Sequence, residues 1–130
     1  MVKVYKEVII CIIIVVTIIS LDIFTQKYTK NTTSEITQVF ADLKSDMLKE
    51  DKDKIDEKVK ILEEKWGKKH DRLAYYIEHY ELEKVDTAIV TLKSYIETED
   101  FSSGIAQLDE GKFILEHIQK KYAFNLENIF

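Results

Sequence analysis

The sequence predicts an all-α protein, with a single N-terminal transmembrane helix followed by an antiparallel helical bundle of three to four helices. An uncharged apolar run, Val8–Leu21, lies close to the N-terminus. The rest of the chain is strongly polar, has no proline and carries apolar residues at intervals of three or four, which is the helical period. No segment shows the alternation and turn residues that strands require. Short connections between such helices favour antiparallel neighbours.

The N-terminal segment, residues 1–24, is predicted to be a membrane anchor. At ~1.5 Å per residue a helix from Val8 to Phe24 covers ~25 Å, against a hydrocarbon core of ~30 Å. Lys3 and Lys6 can lengthen the span, because their apolar stems lie along it while their ammonium groups reach the headgroups. A helix from about residue 2 to residue 24 therefore suffices to cross a bilayer.

A cleaved secretory signal is the alternative to an anchor. The residues that end the apolar run, Ser20–Phe24, do not form an A-x-A-like cleavage site, so we favour an uncleaved anchor. Cys11 lies too early in the apolar run to be the lipidated cysteine of a lipoprotein, and we interpret it as an apolar residue of the helix.

Lysines on the two sides of the anchor give little indication of its orientation. Lys3 and Lys6 precede it, and Lys27 and Lys30 follow it. The α-amino group adds a positive charge on the N-terminal side, and long C-terminal domains are translocated regardless of charge. The excess of lysine over arginine and the many isoleucines suit an A+T-rich bacterial genome. We expect a single-pass protein of the bacterial cell membrane, with the N-terminus inside and the soluble domain extracytoplasmic.

A polar linker, residues 25–32, and a bundle domain, residues 33–130, are predicted after the anchor. Thr32 and Glu35 have the spacing of a capping box, so a helix is expected to start near Thr33. Its apolar face consists of Ile36, Phe40, Leu43 and Met47.

Residues 49–54 are all charged, and they form either a short loop capped by Asp53 or an exposed part of one continuous helix. The next helix begins near Ile55, and Gly67 within it marks a kink or a close contact. We place its end near residues 79–81. Its apolar stripe consists of Ile55, Val59, Leu62, Trp66, Leu73, Tyr76 and Tyr80.

Two further helices follow in the second half of the chain. The third carries Leu82, Val85, Ile89, Leu92 and Ile96 on one face. The fourth, capped by Asp100 or Ser102, carries Ile105, Leu108, Leu115, Ile118 and Tyr122. The apolar tail, residues 124–130, is expected to dock on the bundle or on a partner, because an untethered apolar terminus would aggregate.

The sequence gives little sign of catalytic or metal chemistry, and we expect no enzyme activity and no cofactor. His70 and His79 lie ~180° apart on a helix, so within one helix they cannot share a ligand. A metal site between helices, for instance His79 with Glu83 and His117 with Glu116, is a weaker alternative. The net charge of −5 provides no basic surplus for nucleic acid.

Aromatic and apolar side chains are the candidate binding residues. Trp66, His79 and Tyr80 are assigned structural roles, because Trp66 and Tyr80 continue the apolar stripe and His79 closes a helix end. The candidate interface residues are Tyr75, which falls off the stripe, and the tail residues Phe124, Leu126, Ile129 and Phe130.

Three stretches carry a resemblance to a known family: Trp66 with Leu73–Asp86, Leu92–Glu97, and Asn125–Phe130. In these stretches the chain resembles the bacterial domain-of-unknown-function family 4363. The resemblance extends over nearly the whole chain and is most specific from Trp66 to Asp86 and at the terminus. It implies a short membrane segment followed by an all-helical domain, in a non-catalytic envelope protein that works beside a polytopic membrane protein.

The sequence favours an interaction or scaffold protein, or an accessory subunit, at the bacterial cell envelope. Its partners are then the lipid bilayer and either a membrane protein or a second copy of the chain. The alternative is an extracytoplasmic ligand-binding or sensor bundle. Residues 1–7 leave no room for a cytoplasmic signalling module, so a sensor would signal through a membrane partner.

Overall fold

The computed structural model describes residues 2–123, which form four α-helices and no strand. The helices are α1 (Val2–Leu48), α2 (Lys52–Leu73), α3 (His79–Glu97) and α4 (Phe101–Tyr122). The predicted fold class is therefore confirmed: a long apolar N-terminal helix leads into an antiparallel helical bundle.

The helices run up, down, up and down around a common core. α1 packs on α2 and α4, α3 packs on α4, and α2 and α3 meet more loosely. Residues 2–24 of α1 project beyond the bundle. We call the end of the bundle from which they project the proximal end, and the opposite end the distal end.

A single uninterrupted helix, 47 residues or ~70 Å long, contains both the apolar segment and the first helix of the bundle. The expected linker at residues 25–32 is helical, so the predicted helix start near Thr33 is wrong. The Thr29 hydroxyl donates to the Thr25 carbonyl oxygen at 2.8 Å, which satisfies a threonine side chain without ending a helix. Without a glycine or proline in this region, nothing stops α1 before its last turn.

The apparent capping box also has a different role. Thr32 is buried within α1, and the Glu35 carboxylate lies 3.4 Å from the Lys65 ammonium and 3.2 Å from the Lys69 ammonium of α2. These ammonium groups lower the pKa of Glu35. The Thr-x-x-Glu spacing thus serves contacts between helices, not a helix start.

Two tight turns of the same design close the distal end. In each, a glutamate with positive φ is followed by the aspartate that caps the next helix: Glu50 (φ 54°) with Asp51, and Glu99 (φ 57°) with Asp100. Each aspartate accepts a hydrogen bond from the backbone amide three residues later. An ion pair between Lys52 and Glu99 joins the two turns.

These turns resolve the alternatives left open at two places in the sequence. Residues 49–51 are a short loop and not a continuation of the helix, and the cap of α2 is Asp51 instead of Asp53. Asp100, not Ser102, caps α4.

The turn between α2 and α3 lies at the proximal end and occupies residues 74–78, earlier than the predicted position near residues 79–81. The Glu78 amide donates to the Tyr122 hydroxyl at 2.9 Å, and this bond ties the turn to the end of α4. Because the turn shifts the helical phase, Ile77 takes the buried position that was predicted for Tyr80, and Tyr80 is 51% exposed.

The core is a continuous apolar layer made by all four helices. Gly111 allows α4 to approach α1 and α3, since a Cβ at this position would lie 3.0 Å from the Phe40 ring and 3.8 Å from Ala88. Gly67 is exposed within α2, and a Cβ at this position would meet no atom within 4 Å, so the glycine does not mark a close approach. The buried apolar residues include Ile36, Phe40, Leu43, Met47, Ile55, Leu62, Trp66, Leu73, Leu82, Val85, Leu92, Leu108, Leu115 and Ile118.

Candidate functional site

The projecting part of α1 is the most unusual surface of the protein. From Val2 to Phe24 its large apolar side chains are exposed on every side of the helix, and its 18-residue apolar window is 0% buried. This is the one helix among residues 2–123 that is long and apolar enough to cross a membrane, a test that a signal sequence near an N-terminus also passes. The exposed residues include Val8, Ile9, Ile10, Ile12, Ile13, Ile14, Val15, Val16, Ile18, Ile19, Leu21 and Ile23.

Two features of this segment suit an apolar environment. The Thr17 hydroxyl donates to the Ile13 carbonyl oxygen at 2.8 Å, so the one threonine in the middle of the run is satisfied within its own helix. Lysines and tyrosines flank the run on both sides: Lys3, Tyr5, Lys6, Lys27, Tyr28 and Lys30.

A polar junction begins immediately after the apolar segment. The Tyr76 hydroxyl lies 2.7 Å from the Thr29 hydroxyl oxygen and 3.2 Å from the Thr25 carbonyl oxygen. Burial raises the pKa of Tyr76, so its hydroxyl stays a neutral donor. Tyr75, its neighbour in the turn, is 90% exposed. The proximal turn is therefore fixed to α1 by one tyrosine and presents the other to the surroundings.

A buried carboxylate joins α3 to α4 near the same end. Glu81 is 1% exposed, and one of its oxygens accepts a hydrogen bond from the Lys121 ammonium at 2.9 Å. This bond holds the pKa of Glu81 below its ordinary value, against the opposing effect of burial. The other carboxylate oxygen is buried and has no hydrogen-bond partner among residues 2–123. Lys121 therefore makes the largest contribution to stabilising the charge of Glu81, and Lys84 adds a smaller one.

A second polar cluster links α2 to α3, the pair of helices that packs most loosely. The Trp66 indole N–H donates to Asp86 at 2.6 Å, and the other Asp86 oxygen lies 3.2 Å from Nε2 of His70. The Trp66 side chain is buried and its ring contacts His70 edge to face. The cluster has no nucleophile, and its members all bridge the two helices, so we assign it a structural role.

An open groove of about 570 Å³ lies on the outer side of α3 and α4. Tyr80 lies at one end, with the Lys84 ammonium 4.5 Å from its ring centroid. Phe113 is 69% exposed and stacks on His117, with ring centroids 6.4 Å apart. A large exposed aromatic residue in a groove is typical of surfaces that bind other molecules.

The candidate residues of the sequence analysis lie at separate places. Trp66 is in the core, Tyr75 is exposed on the proximal turn, and His79 begins α3 and pairs with Glu83 at 3.0 Å. Tyr80 lies on the outer groove, so its assignment to the core is wrong. The interface candidates Phe124, Leu126, Ile129 and Phe130 lie outside the described residues.

Metal ligands are not brought together in the part of the chain that the structure describes. No group of three or more His, Cys, Asp or Glu side chains in residues 2–123 has the geometry to hold a metal ion. Of the proposed pairs, His79 contacts Glu83 within α3, and His117 stacks on Phe113.

Sequence reasoning missed three side chains that the structure makes prominent: Glu81, Asp86 and Phe113. Glu81 precedes Val85 by four residues and Ala88 by seven, so its place at the edge of the apolar stripe was a usable signal. Phe113 lies off the stripe of α4, as Tyr75 lies off the stripe of α2, and the same reasoning would have found it. No local pattern indicated that Asp86 would accept from Trp66 on another helix.

Comparison with known proteins identifies a family. The sequence model of one family, described as "domain of unknown function (DUF4363)", matches residues 23–129. The match begins at the end of the apolar segment and includes the four-helix bundle. Searches of curated proteins and of solved structures find no match. The match extends over most of the chain and agrees with the resemblance seen at Leu73–Asp86, so the protein belongs to the DUF4363 family.

Proposed function

We propose that this protein is a single-pass membrane protein whose helical bundle acts as a non-catalytic interaction or scaffold subunit at the bacterial cell envelope. The observation that carries the proposal is the contrast within α1. Residues 8–21 carry no charge, their large apolar side chains are exposed and the 18-residue apolar window is 0% buried, whereas the buried residues of α1 all lie between Thr29 and Met47.

The free energy of this apolar surface supports membrane insertion. Burying one Val, Leu or Ile side chain is worth ~1.5–3 kcal/mol, and the segment exposes eleven of them within residues 8–21. A helix that is apolar all round belongs in the core of a large protein or in a bilayer. No such core exists in the described chain, so the bilayer is the environment we propose.

We further propose that the N-terminus is cytoplasmic and the bundle extracytoplasmic. Lys3 and Lys6 precede the span, and positive residues next to a span are retained in the cytoplasm. Lys27 and Lys30 oppose this preference, but a domain of this length is translocated with little regard to its charge.

The scaffold role rests on the groove between α3 and α4. Aromatic residues dominate the centres of protein interfaces, and Phe113 and Tyr80 offer two of them on one exposed face. Glu83, Lys84 and Glu110 supply a polar rim of both signs. We propose that this groove receives a membrane-protein partner.

In-cell photocrosslinking tests the scaffold role. A photoreactive amino acid at position 113 places the probe in the groove, and the same residue at position 60 places it on an exposed position of α2 as a matched control. After purification from native membranes, mass spectrometry identifies what is linked. We expect one stoichiometric membrane protein linked through position 113 and not through position 60. Links to no protein, or equal links from both positions, would contradict the proposed partner site.

A ligand-binding bundle is the second candidate function, and the size of the groove favours it. A volume of about 570 Å³ lies in the range of small-molecule sites. A ligand present at 100 times its dissociation constant would raise the free energy of unfolding by ~2.7 kcal/mol. A thermal-shift screen with metals, amino acids and envelope fragments would find such a ligand, and a shift abolished by Phe113→Ala would place it in the groove.

A further inference from the structure

The height of the bundle above the apolar segment is fixed by α1. The helix has no break between residue 21 and residue 33, so no flexible spacer separates the two. Phe24 is the last residue of the apolar segment, and the next residue, Thr25, already accepts a hydrogen bond from Tyr76 of the bundle. The proximal turn therefore lies at the level where the apolar segment ends.

The proximal turn carries side chains suited to a membrane surface. Tyr75 is 90% exposed, although a tyrosine gains by placing its ring in an apolar layer and its hydroxyl in water. Arg72 is exposed one helical turn before it, and Lys27 and Lys30 are exposed on α1 at the same level. Tyrosine together with lysine and arginine is the composition found where membrane proteins meet the headgroups.

Charge alone does not explain this surface. Asp71 and Glu78 are exposed on the same turn region, and they offset the basic residues around them. A contact made through the tyrosine ring would persist on an uncharged bilayer, whereas one made through lysine and arginine would require anionic lipid. The mixed charges favour the tyrosine as the main contact.

We infer that the proximal rim, defined as residues 72–78 with Lys27 and Lys30, is seated in the headgroup layer of the bilayer, with Tyr75 inserted at the boundary between headgroups and hydrocarbon. The bundle then rests directly on the membrane and is not held away from it on a stalk. The distal turns lie ~35 Å further along α1. This inference rests on the membrane anchor of the proposed function and adds the lipid surface as a second contact.

Spin labels on the full-length protein in vesicles test the inference. In a Cys11→Ser background, single cysteines replace Ile14 in the apolar segment, Ala74 next to Tyr75 on the rim and Leu48 at the distal end, so the Tyr75 ring is retained. All three positions are exposed, so labelling leaves the core intact. Accessibility to oxygen, which partitions into hydrocarbon, and to a water-soluble nickel chelate gives the depth of each label. Vesicles of phosphatidylcholine alone, and of phosphatidylethanolamine with phosphatidylglycerol, separate ring insertion from charge.

The expected pattern places the label at position 14 deep in the hydrocarbon and the label at position 48 in bulk water. The label at position 74 is expected within the headgroup layer, ~5–8 Å thick on each side of the bilayer, in both kinds of vesicle. If position 74 is as water-accessible as position 48 while position 14 is in hydrocarbon, the seated rim is wrong and the anchor stands. If position 14 is also in water, the anchor and the seated rim both fail.

Discussion

The two halves of α1 have the same backbone and opposite surroundings. Residues 2–24 expose apolar side chains all round, while residues 25–48 bury one face, including Ile36, Phe40 and Leu43, and expose the other to water. The helix does not change at the boundary, but the arrangement of its side chains does. The comparison teaches that secondary structure and exposure are set separately: helical structure continues through residue 25, and only the patterning of apolar side chains changes there.

A consequence of this contrast is that the halves should respond independently to mutation. The largest expected difference is found by replacing one leucine in each half with alanine. Leu43→Ala removes a side chain that is 0% exposed, so it should lower the free energy of unfolding by ~2–5 kcal/mol. Leu21→Ala, the matched control on the same helix, should leave bundle unfolding unchanged. Urea unfolding followed by the fluorescence of Trp66 measures both, and equal losses would contradict the separation of the halves.

The converse change should disturb only the anchor. Ile14→Lys places an ammonium near the centre of the span, which costs ~2.5–3.5 kcal/mol of insertion free energy on scales from insertion experiments. We expect the fraction retained in carbonate-washed membranes to fall, with no change in bundle unfolding. Ser45→Lys, on the exposed face of the other half, is the control and should change neither quantity. Membrane retention of Ile14→Lys equal to that of the unmodified protein would contradict the expected insertion cost at this position.

The buried carboxylate of the bundle gives an effect of intermediate size. Lys121→Met leaves Glu81 without its hydrogen-bond partner and should cost ~1–3 kcal/mol. Lys120→Met, at the exposed neighbouring position, should cost little. Thermal unfolding of the two variants side by side checks this difference, and equal effects would remove the special role of Lys121.

The same pair predicts a dependence on pH. The pKa of Glu81 is lowered in the folded protein, so the folded state favours the ionised carboxylate. The resulting stabilisation is fully present above the unfolded pKa of a glutamate, ~4.3, and is lost as the pH falls through the lower folded pKa. Stability of the unmodified protein should therefore decline below pH ~4.3, and Glu81→Gln should reduce the steepness of that decline. A Glu81→Gln profile as steep as the original would contradict the assignment.

The smallest effect compares two threonines of α1. Thr29→Val removes a hydroxyl 2.7 Å from Tyr76 and should cost ~0.5–1.5 kcal/mol, because Tyr76 keeps its contact with the Thr25 carbonyl. Thr17→Val removes a hydroxyl that bonds only within its own helix, and bundle stability should not change. Urea unfolding distinguishes them if the two curves are measured under identical conditions.

Much of the fold could be predicted from the sequence, because the apolar residues that recur at helical intervals are the residues that form the core. The faces carrying Leu43, Leu62 and Leu92 are buried as their spacing indicates. The ends of the helices were harder to predict than their buried faces. Residues 25–32 looked like a linker because they are polar and because Thr32 and Glu35 have the spacing of a capping box. Threonine also bonds to the preceding turn, however, and stays helical when no glycine or proline intervenes.

The surfaces were less predictable than the core. Tyr80 was assigned to the core because one continuous stripe was assumed through residues 74–78, and the turn there resets the helical phase. Asp86 bonds to Trp66 across helices, and no local spacing records such a pair. Tyr75 was recognisable as an exposed aromatic residue because it lies off the stripe, and the same signal was available for Phe113, which was missed.

Hydrogen exchange on the full-length protein in lipid vesicles, measured across a urea series, tests most directly whether one helix lies in two environments. We expect the amides of residues 8–21 to remain protected at urea concentrations at which those of residues 36–47 exchange completely, because lipid holds the first set and the bundle core holds the second. Loss of protection in both halves at the same urea concentration would contradict this, and would mean that α1 is stabilised along its whole length by the bundle alone.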